Sequence, residues 1–137
     1  MTTKLSLKAF ERSTYVITVA FEDDNGTAVT PNKVSWDLST LGGTIINERS
    51  NVTETPAESV DIVLTGSDLR TLASEGNKHI VKRLVTVRGS YNSDAGSDLE
   101  LSADVKFDLE TNPVIPYLTI NVYEAVTISE SISLSVD

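Results

Sequence analysis

The sequence predicts an all-β fold, and three observations carry that prediction. Hydrophobic residues recur with a period of two along most of the chain, turn-forming residues cut it into short segments, and one brief stretch alone carries helix signals. In order, Tyr15, Ile17, Val19 and Phe21 share one face of a strand over Tyr15–Phe21, and Val34, Trp36 and Leu38 share one over Lys33–Ser39. Ser59–Leu64 alternates Val60, Ile62 and Leu64. The clearest strand is Leu99–Leu109, where Leu99, Leu101, Ala103, Val105, Phe107 and Leu109 alternate with polar residues. On a helix those six would spread around the circumference. His79–Tyr91 reads as a long strand whose apolar residues fall on both faces, so a β-bulge near Lys82-Arg83 is expected to switch them. Leu5–Ala9 and Thr44–Asn47 are shorter candidates, which brings the expectation to about seven strands before residue 110.

Turn chemistry punctuates these segments. Asp23-Asp24-Asn25-Gly26 is a hairpin signal, since Asn-Gly tolerates positive φ. Leu41-Gly42-Gly43-Thr44 is a second turn, and Asn92–Asp98 a third, longer one. Pro31 and Pro56 precede strands, where a missing N–H disturbs no ladder. Ser67 is expected to cap a helical turn over Asp68–Leu72. Together these elements describe an immunoglobulin-like antiparallel β-sandwich, residues 1–110, with Trp36 in its core and a jelly roll as the alternative arrangement.

The pattern changes after Glu110. Pro113 and Pro116 mark a linker, so residues 111–137 are read as a Pro-containing joint followed by a C-terminal β-arm. Leu118, Ile120 and Val122 alternate in one stretch; Val126, Ile128, Ile132, Leu134 and Val136 form a second apolar stripe, broken by Glu130 alone. Serines and threonines fill the opposite stripe. These eight apolar residues are the candidate partner-binding positions, either as an arm that adds to another subunit's sheet or as an eighth strand of the same sandwich.

Composition narrows the chemistry. The 137 residues hold 20 acidic and 11 basic side chains, a formal charge of −9, and no Cys. Disulfides, thiolate zinc sites and cysteine nucleophiles are excluded. The negative balance argues against nucleic acid or an anionic membrane as partner, because phosphate affinity comes from Lys and Arg. No window approaches the 18 apolar residues of a membrane span, and no apolar leader is visible at the N-terminus, so synthesis in the cytosol is expected. Two glycosylation sequons, at Asn25 and Asn51, then read as chance matches.

Catalytic patterns fail one by one. The single His79 sits at a strand entrance and reads as a surface residue, and no Gly-x-Ser-x-Gly elbow accompanies it. Glu22-Asp23-Asp24-Asn25 and the pair Asp94/Asp98 do not match a calcium loop and read as solvated turn residues. Lys78, Lys82, Arg83 and Arg88 lie loosely around one strand and read as solvated heads over apolar edge surface. No catalytic, cofactor-binding or metal-ligating residue is accordingly expected.

Tyr15–Pro31, Val34–Leu38, Pro56–Leu69, Leu84–Tyr91 and Leu99–Leu109 together resemble small immunoglobulin-like virion proteins of tailed bacteriophages. The likeness lies in the style and order of strands and turns over roughly residues 13–110, not in a catalytic motif. The resemblance implies a non-enzymatic decoration, neck or tail accessory protein, located in the virion after synthesis in the host cytoplasm. Its implied partners are other virion proteins and, in the assembled particle, further copies of itself. A carbohydrate- or cell-surface-binding β-sandwich module is the alternative and requires an exposed aromatic platform. A calcium-dependent adhesion domain would require acidic loops gathered at one pole.

Overall fold

A computed structural model of the chain describes residues 2–111 and the backbone of Thr127–Ser135. The strands are β1 (Thr2–Lys4), β2 (Ala9–Phe10), β3 (Thr14–Glu22), β4 (Lys33–Ser39), β5 (Val52–Glu54), β6 (Ser59–Thr65), β7 (Ile80–Ser93), β8 (Gly96–Glu110) and β9 (Thr127–Ser135). Two 3-10 turns, η1 (Gly66–Leu69) and η2 (Ala73–Glu75), lie between β6 and β7. One sheet has the order β1-β8-β7-β4-β5, with β2 also on β8; the other is β6-β3-β9.

The all-β expectation holds, and a single apolar core joins the two sheets. Tyr15, Ile17, Val19 and Phe21 of β3 and Val60, Ile62 and Leu64 of β6 meet Trp36 and Leu38 of β4, Val85 and Val87 of β7, and Val105 and Phe107 of β8. The Tyr15 and Phe107 rings lie 4.8 Å apart, tilted by 32°. Such side chains contribute about 1.5–3 kcal/mol each on full burial, which makes this interior the main stabilising element. Trp36 is 2% exposed, and its indole N–H donates to Glu54 Oε1 at 3.0 Å, so its one polar atom is satisfied.

Several expectations need correction. The pairing is mixed rather than antiparallel: β1 and β2 both run parallel to β8, and β9 runs parallel to β3. The expected strand Leu5–Ala9 does not form: Leu5–Lys8 connects β1 to β2 and only Ala9 is in a strand, with Leu5 turned into the core while Leu7 stays exposed and its carbonyl accepts the Tyr15 hydroxyl at 2.8 Å. Thr44–Asn47 makes only the isolated bridge Ser39–Ile45; Asn47 and Glu48 have φ of 52° and 58°, which no strand accommodates. The edge strand is β5 instead, so eight strands precede residue 111.

β7 carries no bulge near Lys82-Arg83. Its register with β8 runs unbroken from Ile80↔Glu110 to Tyr91↔Leu99, and the irregularity falls between Tyr91 and Ser93, at a hairpin tighter than expected. Ser67 lies within η1 rather than capping it; the Thr65 backbone N–H instead donates to Asp68 Oδ2 at 3.1 Å.

Candidate functional site

β3 lies at the centre of the three-stranded sheet, and its two edges are filled differently. On one side β6 pairs antiparallel, from Thr14↔Thr65 to Ala20↔Ser59. On the other, β9 pairs parallel over nine positions, from Thr14↔Thr127 to Glu22↔Ser135. Paired residues in a parallel ladder belong to the same sheet face. Ile128, Ile132 and Leu134 therefore take the register positions of Tyr15, Val19 and Phe21, three residues with no exposed surface. Glu130 takes the position of Ile17, and Ser129, Ser131 and Ser133 those of Val16, Thr18 and Ala20. The remaining candidates, Leu118, Ile120, Val122, Val126 and Val136, lie outside the described residues.

The sequence marked the strand that docks but not the edge that receives it. Tyr15–Phe21 reads as half-buried by its alternation, which specifies a face and says nothing about edges. The parallel sense of β9 was likewise illegible, since a period of two is the same in both directions.

The titratable groups act as counter-ions. Asp68 is fully buried and accepts from Asn47 Nδ2 at 2.8 Å, Arg49 Nε at 2.8 Å and the Thr65 N–H. Burial pushes its carboxyl up, but the bonds from Arg49, Asn47 and Thr65 outweigh that and hold it below the usual carboxylate range. This hub fastens η1 to the left-handed loop at Asn47-Glu48. Glu75 accepts a fork from Arg83, which lowers its carboxyl, against the opposing effect of burial and with help from the Leu72 N–H. Arg83 corrects the reading of a solvated head: it has no exposed surface.

On the outer face of the larger sheet, Asp37 accepts from the Asn51 N–H and Arg88 Nη1. Burial raises its carboxyl and these two donors more than reverse the rise. Asp108 lies between Lys82 at 2.7 Å and Lys4 at 3.3 Å; the Lys82 bond chiefly lowers its carboxyl. All four of these shifted carboxylates are displaced downward, the direction of a salt-bridge partner rather than of a general acid near neutrality. The His79 side chain is 69% exposed, with Nε2 3.3 Å from Glu110 Oε1.

Two of the concavities among the described residues carry polar groups that bear on function. A cleft of about 650 Å³ crosses the outer face of β4, β7 and β8, bordered by Lys33, Ser35, Arg88, Ser90, Glu100 and Ser102. Ser90 is buried there, and its hydroxyl has no hydrogen-bond partner among the described residues. A second pocket, about 440 Å³, brings Asp23 and Asp94 to one rim at the hairpin pole. Asp23 Oδ1 already accepts the Asn25 and Thr27 N–H groups, at 2.9 and 3.0 Å, and so closes its own turn. Among the described residues no group of three or more His, Asp or Glu is placed to hold a metal, and no helix is long and apolar enough to cross a membrane.

No protein-family model matches the chain, and no curated protein matches it.

Proposed function

We propose that this chain is a non-enzymatic structural or adaptor protein of a tailed-bacteriophage virion, joined to capsid, neck or tail proteins through sheet edges and its C-terminal arm. The observation that carries the reading is the nine-position parallel ladder between β9 and the edge of β3. It presents a terminal segment as a strand added to a sheet edge, the geometry in which main-chain bonds hold and alternate side chains select. The virion itself enters through the resemblance of residues 13–110. An immunoglobulin-like topology is part of the proposal. Its support is the adjacency of β3 to β6, the order β8-β7-β4-β5, and a buried Trp on β4.

Deleting residues 112–137 tests the reading. The expected product keeps the β circular-dichroism spectrum and a cooperative melt but fails to oligomerise or join a particle. A product that unfolds makes β9 an ordinary structural strand. One that still assembles puts attachment on a sandwich face.

The carbohydrate-binding alternative has a specific place in the cleft beside Ser90, where hydroxyl and charged groups line the sheet. Trp36 does not provide its aromatic platform, being buried. Sugar-induced protection of Ser90-region amides from hydrogen exchange would favour this alternative.

A further inference from the structure

We propose that the strand filling the β3 edge is exchanged between copies of this chain, the Thr127–Ser135 segment of one copy pairing with Thr14–Glu22 of another. This rests on the arm reading above and names its partner as a second copy.

Chain length makes the exchange possible. β8 ends and β9 begins at the same pole: Leu109 and Glu110 pair with Ala9 and Phe10, whose chain leads directly into Thr14, and Thr14 pairs with Thr127. Passing between stacked sheets there requires about 10 Å. Fifteen residues, 112–126, separate the two described segments, and a chain of that length spans up to roughly 50 Å. Closure within one copy needs a fraction of that reach, and the remainder is available to span to a neighbour's edge.

The architecture makes it permissible. Among the described residues β9 lies at the end of its sheet, so its departure breaks no other described pairing. β3 and β6 stay joined through seven register pairs, and the larger sheet closes among β1, β2, β4, β5, β7 and β8. The vacated β3 edge would leave N–H and C=O groups unpaired beside the core residues Tyr15, Ile17, Val19 and Phe21, so another strand of the same pattern is the natural replacement. Exchange of an identical element is a low-barrier route to a dimer when reciprocal and to a ring or filament when sequential.

Glu130 keeps the bond reversible. Along the row Ile128, Glu130, Ile132, Leu134, it alone is charged, and its register partner Ile17 has no exposed surface. A charged residue at that register position makes the ladder weaker than an all-apolar row would.

The chain has no Cys, so introduced thiols report cleanly. Val16 and Ser129 are register partners. Full-length Val16→Cys and Ser129→Cys proteins carrying different tags are mixed, incubated and treated with a short thiol-to-thiol cross-linker. The expected product is a covalent heterodimer carrying both tags, absent when either variant is treated alone. If the mixture gives none while the double variant Val16→Cys/Ser129→Cys cross-links within a monomer, exchange is refuted and the arm is internal. If neither cross-links, β9 does not occupy the β3 edge, and the arm reading itself falls. Glu130→Leu, with Glu130→Gln as a near-isosteric second variant, is expected to slow heterodimer formation, about tenfold for Leu if the row gains roughly 1.4 kcal/mol. An unchanged rate in both removes Glu130 from the proposal.

Discussion

Arg83 grips Glu75 with both terminal nitrogens, Nη2 to Oε1 at 2.6 Å and Nη1 to Oε2 at 2.8 Å, while its own side chain is entirely buried. The same nitrogens donate to the Lys82 and Arg70 carbonyls. The guanidinium thus ties the η1–η2 connection, which carries the chain from one sheet to the other, onto the start of β7. Removing the cation leaves the Glu75 carboxylate and the Arg70 carbonyl without this donor. Arg83→Ala is expected to lower stability by about 3–5 kcal/mol, the range for breaking a buried pair, read as a lower urea midpoint. Arg83→Met, which keeps volume, should recover part of that loss. Equal losses in both would assign the effect to charge pairing alone.

The lowered carboxyls set an acid dependence. Asp37, Asp68, Glu75 and Asp108 all titrate below their ordinary values in the fold, so the folded chain binds fewer protons than the unfolded one. Their contribution is complete above the ordinary carboxylate range, near pH 4, and is lost as pH falls through the lower folded values. Stability should be insensitive to these groups from about pH 5 to 7 and drop steeply below about pH 4. Asp68→Asn should be less stable at pH 7 and show a shallower decline in acid. An unchanged acid slope would remove Asp68 from the explanation.

The core makes a sharper demand. Trp36 and Phe107 are 2% and 0% exposed, and the Phe107 ring stacks obliquely on Tyr15 across the two sheets. Trp36→Ala or Phe107→Ala should each cost about 3–5 kcal/mol, measured by chemical denaturation. A loss below about 1 kcal/mol would mean that the site collapses around the gap or that the register differs.

Much of this fold was legible because alternation and burial coincide. Lys33–Ser39 is the strand the sequence delimits, and Trp36, Ile62, Val85, Val105 and Phe107 meet in one core as their parities require. Arg83 shows why the rest was not. It shares parity with Val81, Val85 and Val87, so the pattern itself placed it inward, yet an arginine on a core row looks like an interruption until its partner is known. Glu75, eight residues earlier, gives no local sign of being that partner. The Thr44–Asn47 expectation failed for a related reason. Residues with positive φ at Asn47 and Glu48 are held by a loop whose anchor, Asp68, lies far along the chain. For the candidate site, the stripe Ile128, Ile132, Leu134 was visible, but the edge it meets and the direction of pairing depend on tertiary register alone.

The exposed His79 and the acidic hairpin pole discriminate between function classes. His79→Gln should alter stability by no more than about 0.5 kcal/mol and leave assembly intact, as expected for a solvent-facing side chain. The melting temperature should be the same with millimolar calcium and with chelator, because Asp23 Oδ1 is already occupied by the backbone of its own turn. A calcium-dependent rise, which ligand linkage would produce on binding, would favour an adhesion domain built on the Asp23/Asp94 rim.

Gly89 tests the packing of the central strands. It pairs with Val34 on β4 and Leu101 on β8, and a Cβ built on it would stand 2.3 Å from the Lys33 carbonyl oxygen. That oxygen belongs to backbone, so no rotamer change relieves the contact; β4 or β7 would have to move. Gly89→Ala should therefore lower stability by about 1–3 kcal/mol, the usual range for overpacking, even though alanine suits a strand better than glycine in isolation. The same substitution also probes the cleft, since Gly89 and Ser90 lie on its wall beside Lys33. Hydrogen exchange should show the loss of protection centred on the Lys33–Ser90 pairing and declining toward Ser39–Leu84 at the far end of the same ladder. A uniform loss would mean that the two strands separate as one unit. An unchanged melting temperature would mean that the chain relieves the contact by shifting β4, and the close approach at Gly89 would then have no structural consequence.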